Sequence, residues 1–312
     1  MKISLIIPTL NAGKQIDRLL QALSNQTVAV DEIIVIDSQS DDDTEMICRK
    51  HKKVTFIPIK RSQFDHGGTR DYAFRQSNGE VVLFLTQDAL PADDRYVEQI
   101  ISPFQDESVA MVSGRQIAKD NATRIEKLTR HFNYPATSNI RTLKDIPVLG
   151  IKTFFASNVC SAYRRPAYIQ TGGFDHPILT DEDLLIAARF IYGGYTLVYA
   201  AEAKVIHSHN FSLKQQFSRN FDIAVFMKMN SSFFQNISAT KEGIQMVKYV
   251  LGELIKEKQF LQAGYYIAEC GAKFLGYKLG SNYRKLSRKW IEICTGNKNY
   301  WNLIFSGYRS GS

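Results

Sequence analysis

The chain has 312 residues, is 44% hydrophobic and 22% charged, and carries a formal net charge of +8. These values belong to ordinary globular proteins and leave room for one large domain or two smaller ones. Four scattered cysteines, Cys48, Cys160, Cys270 and Cys294, contain no CxxC pair; they exclude a disulfide framework or a zinc knuckle and fit a reducing cytoplasm.

The charge is unevenly placed. Residues 231–312 hold 12 Lys+Arg against 5 Asp+Glu, a net of +7, and residues 1–230 hold 27 against 26. A nucleic-acid enzyme would carry its basic residues around the cleft, so no nucleic-acid partner is expected. A basic, aromatic tail fits an anionic membrane surface.

In chain order, MKISLIIP opens with a five-residue apolar run closed by Pro8, too short for a signal-peptide core or a bilayer span, and reads as a first buried strand. A helix-like stretch from Gln15 to Ser24, the run EIIVID, a second helix-like stretch from Asp43 to Lys52 and the run VTFIPI follow. This alternation predicts βαβ units around a mainly parallel sheet, an α/β architecture. A polar loop from Arg61 to Gly68 precedes a helix over Thr69–Ser77, and VVLFL and AMVSG read as further strands. From about Phe211 helical periodicity takes over, with Ile244, Val247, Leu251, Leu254 and Ile255 on one face. A boundary is expected near residue 210.

Five segments carry chemistry. In VVLFLTQDALP, the strand run delivers Thr86, Gln87 and Asp88 to the mouth of the sheet, where a carboxylate can hold a divalent cation that bridges phosphates. Asp37 ends EIIVID and opens SQSDDDT, where a carboxylate can accept hydrogen bonds from a base or ribose, or the loop can cap the next helix. In FDHGGTRDYAF, Gly67 and Gly68 at a helix start with Arg70 one turn in suit a diphosphate, or form a plain turn. GGFDHPILTDED joins Gly172 and Gly173 to Asp181, Glu182 and Asp183 at the start of an amphipathic helix, where acids suit the macrodipole and one can act as general base. KVIHSHNF places His207 and His209 two apart at the end of a strand-like run, on one face for metal or phosphate.

Taken in order, IIPTLNAGK, VIDSQSDDDT, GGTRDYAF, FLTQDALP, GGFD and TDED…GGY resemble glycosyltransferase family 2, inverting enzymes that move a sugar from a nucleotide diphosphate to an acceptor hydroxyl. The resemblance covers roughly residues 1–210. It implies a GT-A fold with a nucleotide-sugar half at about 1–115, an acceptor half at about 116–210, and a basic, mostly helical extension over 211–312. It implies that Pro8, Thr9, Asn11, Asp37, Arg70, Gln87 and Asp88 serve the donor nucleotide, and Gly173, Phe174, Asp181 and Glu182 the acceptor side. Asp183 resembles the catalytic base, and Asp88 with His207 the holders of Mg²⁺ or Mn²⁺.

Two positions depart from the family pattern: Thr86 stands for the first Asp of Asp-x-Asp, and Leu185 for a further acid after Glu-Asp. The TQDA, FDHGGTR and HSHN segments are similar to those of bacterial rhamnosyltransferases of this family that use dTDP-L-rhamnose. A deoxyribose donor, lacking the 2′-hydroxyl, has less need of the lost carboxylate. The implied acceptor is a saccharide or a polyprenyl-diphosphate-linked saccharide at the cytoplasmic leaflet, with peripheral membrane contact through YRKLSRKW. The competing readings are a UDP-hexose transferase of the same family and a non-catalytic nucleotide-sugar binding protein.

Overall fold

A computed structural model describes residues 1–234 and 240–307; positions 235–239 and 308–312 of the expected extension lie outside the described residues. In chain order the elements are β1 (Ile3–Thr9), α1 (Ile16–Ser24), β2 (Glu32–Asp37), α2 (Thr44–Cys48), β3 (Val54–Pro58), α3 (His66–Gln76) and β4 (Val81–Leu85). Next come β5 (Leu90–Pro91), α4 (Tyr96–Ile101), β6 (Val109–Ile117), α5 (Arg124–Asn133), β7 (Asn139–Arg141), α6 (Ile146–Leu149), β8 (Cys160–Arg164) and α7 (Arg165–Gln170). The chain finishes with α8 (Glu182–Tyr192), β9 (Thr196–Ile206), α9 (Leu213–Met229), α10 (Thr240–Lys256), α11 (Phe260–Gly280), α12 (Arg288–Cys294) and α13 (Lys298–Phe305).

Two compact units result. The first holds Met1–Ile117, Tyr134–His176 and Glu182–His207; the second holds Ala118–Asn133, Pro177–Asp181 and the chain from Ser208. Segments 118–133 and 177–181, which precede the boundary expected near 210, therefore group with the C-terminal helices.

The first unit is built on one sheet in the order β3-β2-β1-β4-β8-β6-β9-β5, with β7 also on β9. The run β3-β2-β1-β4 is parallel, as the βαβ alternation predicts, and so is the β6–β9 pair. β8 runs antiparallel to both β4 and β6, and β5 and β7 are antiparallel to β9, so the sheet as a whole is mixed. The reversal arises because the chain enters β8 at the edge where β4 ends, with Thr86 donating its N–H to Val159 at 3.2 Å. β4 is buried along its whole length, which is why its sequence is a continuous apolar run without alternation. Its side chains, with those of β1 and α1, form the main core.

In the second unit α9 and α11 lie unusually close. A Cβ at Gly276 or Gly280 would come within 2.2 Å of the carbonyl oxygen of Phe217 or Phe221, so only glycine permits this approach. α5, α10 and α11 share a core of Ile125, Leu128, Val250, Leu254, Ala263 and Tyr266. The middle of the expected apolar face of α10 packs inward, with Leu254 buried and Val247 and Leu251 against the core, but its ends Ile244 and Ile255 are 51% and 54% exposed. The inward stripe follows positions 247, 250, 251 and 254, spaced as one helix face, and leaves 244 and 255 off its edge. All four cysteines are free.

Candidate active site

Three loops meet at the carboxyl ends of β1, β2 and β4, the edge of an open α/β sheet where ligands bind. Parallel pairing sets Pro8 beside Ile36 and Thr9 beside Asp37. The Thr9 hydroxyl donates to Asp37 at 2.8 Å, and the Ser40 hydroxyl and N–H donate to the same carboxylate at 2.6 and 2.8 Å. Asp37 is only 3% exposed, so this network holds it rigidly. Asn11, at φ 52°, donates its N–H to Ser40 and accepts from the Asp41 N–H. Gln87 accepts from the Leu10 N–H at 2.8 Å and donates back to the Leu10 carbonyl at 3.1 Å. The structure thus brings together Pro8, Thr9, Asn11, Asp37 and Gln87.

The second constellation sits where α8 begins. Glu182 is 7% exposed and lies 3.2 Å from the guanidinium of Arg70, itself 7% exposed. Burial pushes the Glu182 carboxyl up, but Arg70, His66 and a hydrogen bond from Asn158 outweigh it and hold it below its ordinary value. Asn158 governs both acids: its amide donates to Glu182 at 3.0 Å and its N–H to Asp183 at 2.9 Å. Its own carbonyl oxygen is fixed by the hydroxyls of Ser161 and Tyr163, at 2.8 and 2.6 Å. The half-buried Asp183 also accepts from the Leu184 N–H at 2.9 Å, at the N-terminus of α8.

Arg70, expected near a diphosphate, is therefore turned inward: it pairs with Glu182 and donates to the His66 carbonyl. The helix start before it is capped by Asp65, which accepts from the Gly68 N–H at 2.7 Å where an anion was expected. Gly173 and Phe174, expected on the acceptor side, are packing residues. Phe174 is 3% exposed and meets Phe84, Tyr163 and Tyr168 edge-on. Gly173 has φ 76°, and a Cβ there would lie 2.4 Å from Asp71. Asp181, at φ 56°, belongs to the second unit. Leu185, in place of a further acid, is buried at 2% exposure.

The third constellation is set by β5, whose pairing with β9 aligns Leu90 with Ile206 and draws Asp88 toward His207. Their Oδ2 and Nε2 atoms are 3.4 Å apart. His207 Nδ1 lies 3.0 Å from Gln116 Oε1, while the Gln116 amide nitrogen donates to Tyr134 and Ser157. Because an amide oxygen only accepts, Nδ1 is the donor in this contact, and Nε2 is the ring nitrogen turned toward the Asp88 carboxylate. Two electron-rich atoms so placed fit a shared cation: adjacent ligands of an octahedral ion with bonds near 2.1 Å stand roughly 3 Å apart. The buried Thr86 hydroxyl has no hydrogen-bond partner among the described residues. β9 ends at Ile206, so His207 and His209 follow the strand rather than belonging to it, and Asp88, His207 and His209 each offer a ligand atom within 4.8 Å of the others.

Asn158 and Gln116 were not singled out from the sequence. An Asn before a strand and a buried Gln in the polar second half of β6, VAMVSGRQI, are the faint signals that mark them.

The family model described as Glycosyl transferase family 2 matches residues 4–172. The chain belongs to glycosyltransferase family 2. Two relatives cover nearly all of this glycosyltransferase. It is 38% identical to the O-antigen chain rhamnosyltransferase RfbN of Salmonella typhimurium, over 97% of each chain. It is 39% identical to the O-antigen chain rhamnosyltransferase WbaN of Salmonella anatum, over 96% of each chain. Among solved structures, the mannosyltransferase PcManGT of Pyrobaculum calidifontis, in complex with GDP-Man and Mn²⁺, aligns with TM-score 0.62 at 16% identity. That alignment covers 92% of this chain and 88% of the other and establishes the GT-A fold.

Proposed function

We propose that this glycosyltransferase moves L-rhamnose from dTDP-β-L-rhamnose, with inversion, to a saccharide or lipid-linked saccharide acceptor in bacterial surface-polysaccharide synthesis. The observation that carries this reading is the near-full-length likeness to two O-antigen chain rhamnosyltransferases. Pro8, Thr9, Asn11, Asp37 and Gln87 form the nucleotide pocket, with Asp37 accepting from the base.

Asp183 is the general base. Its neighbour Glu182 is committed to Arg70, and Asn158 aims the Asp183 carboxylate by a backbone hydrogen bond. The acceptor hydroxyl gives its proton to Asp183 as its oxygen attacks the anomeric carbon; the new C–O bond forms as the bond to the diphosphate oxygen breaks, and the diphosphate leaves with the electron pair. Arg70 acts through Glu182 as a positioning residue. Mg²⁺ or Mn²⁺ held by Asp88 and His207 would supply charge stabilisation for the diphosphate. The enzyme works at the inner face of the cytoplasmic membrane, where Arg284, Lys285, Arg288 and Lys289 make a peripheral contact.

The test is release of nucleoside diphosphate from dTDP-L-rhamnose, UDP-glucose, UDP-N-acetylglucosamine and GDP-mannose. Preference for dTDP-L-rhamnose supports the reading. Turnover confined to a UDP-hexose would replace it, and binding without turnover of any donor would leave a nucleotide-sugar binding protein.

A further inference from the structure

A helix on a soluble protein turns its large apolar side chains inward and its charges to water. α11 does this only in part: Ala263 and Tyr266 are buried, but so are Glu269, Gly276 and Gly280, the two glycines against α9, while Phe260, Ile267 and Phe274 stand 66%, 59% and 64% exposed. These three are seven residues apart and lie along one line of the helix, flanked by Leu261 at 93% and Leu275 at 56% exposure. Glu269 and Lys273 are joined at 2.6 Å, with Lys273 only 22% exposed, leaving Lys278 as the exposed charge of this helix. A continuous apolar face of this extent on a polar protein marks an interaction surface.

We infer that this outward face of α11 lies in the headgroup layer of an anionic lipid bilayer, with the helix axis parallel to the membrane. The inference rests on the peripheral contact proposed above and assigns it a second, apolar surface. Charge complementarity selects the occupant. Lys278 in the last turn of α11 is followed past the helix end by exposed Arg284, Lys285 and Lys289, and Trp290 is 59% exposed beside Lys289. Residues 231–312 carry a net +7, which an anionic surface attracts and a second copy of the same unit repels. Among the described residues no helix is long and apolar enough to cross a membrane, so the face lies on the bilayer.

The test is flotation of the full chain with vesicles of phosphatidylcholine alone and of phosphatidylcholine mixed with phosphatidylglycerol. The wild type floats with the mixed vesicles. The triple variant Phe260→Ser, Ile267→Ser, Phe274→Ser loses about tenfold or more of that binding, while keeping its helical circular dichroism and its release of dTDP from dTDP-L-rhamnose. Phe274→Trp, which removes no apolar surface, shows added fluorescence quenched by bromine on the lipid acyl chains.

Unchanged binding of the triple variant, with binding lost on charge reversal at 284, 285, 288 and 289, overturns the α11 assignment and leaves the basic contact standing. No flotation of the wild type overturns both. A wild-type dimer that the triple variant converts to monomer, without lipid, makes the face a contact between copies and also overturns the assignment.

Discussion

Arg70 on α3 and Glu182 at the start of α8 form a buried ion pair at 3.2 Å, which engages the Glu182 carboxylate and leaves Asp183, in the proposed mechanism, as the base. Glu182 holds α8 against α3. Asp183, one residue on, accepts from the Asn158 N–H, while Glu182 accepts from the Asn158 side-chain amide.

Removing one partner of the buried pair leaves the other charge without compensation, at a cost of about 3–5 kcal/mol. Arg70→Leu is therefore expected to lower unfolding free energy by about that amount, and Arg70→Leu with Glu182→Leu to recover most of it. Urea denaturation of the two variants checks this. The Glu182 carboxyl sits below its ordinary 4.5, so its contribution is fully present above that pH and is lost as pH falls through its lower folded value.

Asp222 on α9 predicts the opposite slope. It is buried, accepts from the Thr295 hydroxyl and the Gly296 N–H, and burial pushes it from 3.8 to about 6. Its neutral form is the one favoured in the fold, so its contribution is present below about pH 4 and fades as pH rises to about 6. The difference in unfolding free energy between wild type and Asp222→Asn should change by up to about 3 kcal/mol across that window. A difference independent of pH would contradict it.

The Gln116–His207 hydrogen bond should tune the metal-binding tautomer. Gln116→Leu is expected to weaken Mn²⁺ activation of dTDP release by about 10–100-fold, and Asp88→Ala or His207→Ala to weaken it more. Titration of the metal-stripped enzyme with Mn²⁺ measures the shift. Undiminished activity of the wild type in EDTA would remove the cation from the account.

Asn158→Ala should lower kcat by about tenfold or more with little change in dTDP affinity, because its side chain fixes Glu182 and its own loop while its N–H positions the base. Equal losses in kcat and dTDP binding would make Asn158 a general structural residue.

The elements whose chemistry is local were legible in the sequence. β1, β2 and β4 are buried strands that read as apolar runs, and the loops after them carry Asn11, Asp37 and Gln87 at fixed offsets from strand ends. What escaped depends on contacts distant in sequence. Arg70 looked like a phosphate ligand because nothing local announces Glu182, and Phe174 looked like a site residue because its aromatic partners come from three other segments. The reversal of β8 depends on which edge the chain re-enters, and the apolar face of α11 faces outward because Gly276 and Gly280 hold its other side against α9. Hydropathy periodicity reports an apolar face without reporting its direction.

The most direct test of the account is Asp183→Asn, measured both for rhamnose transfer from dTDP-L-rhamnose to acceptor and for dTDP affinity. A base that acts only on the acceptor hydroxyl predicts a loss of turnover of about 10²–10⁴-fold with dTDP affinity changed by less than about twofold. Turnover near the wild-type rate in Asp183→Asn would contradict the assignment of Asp183 as the base.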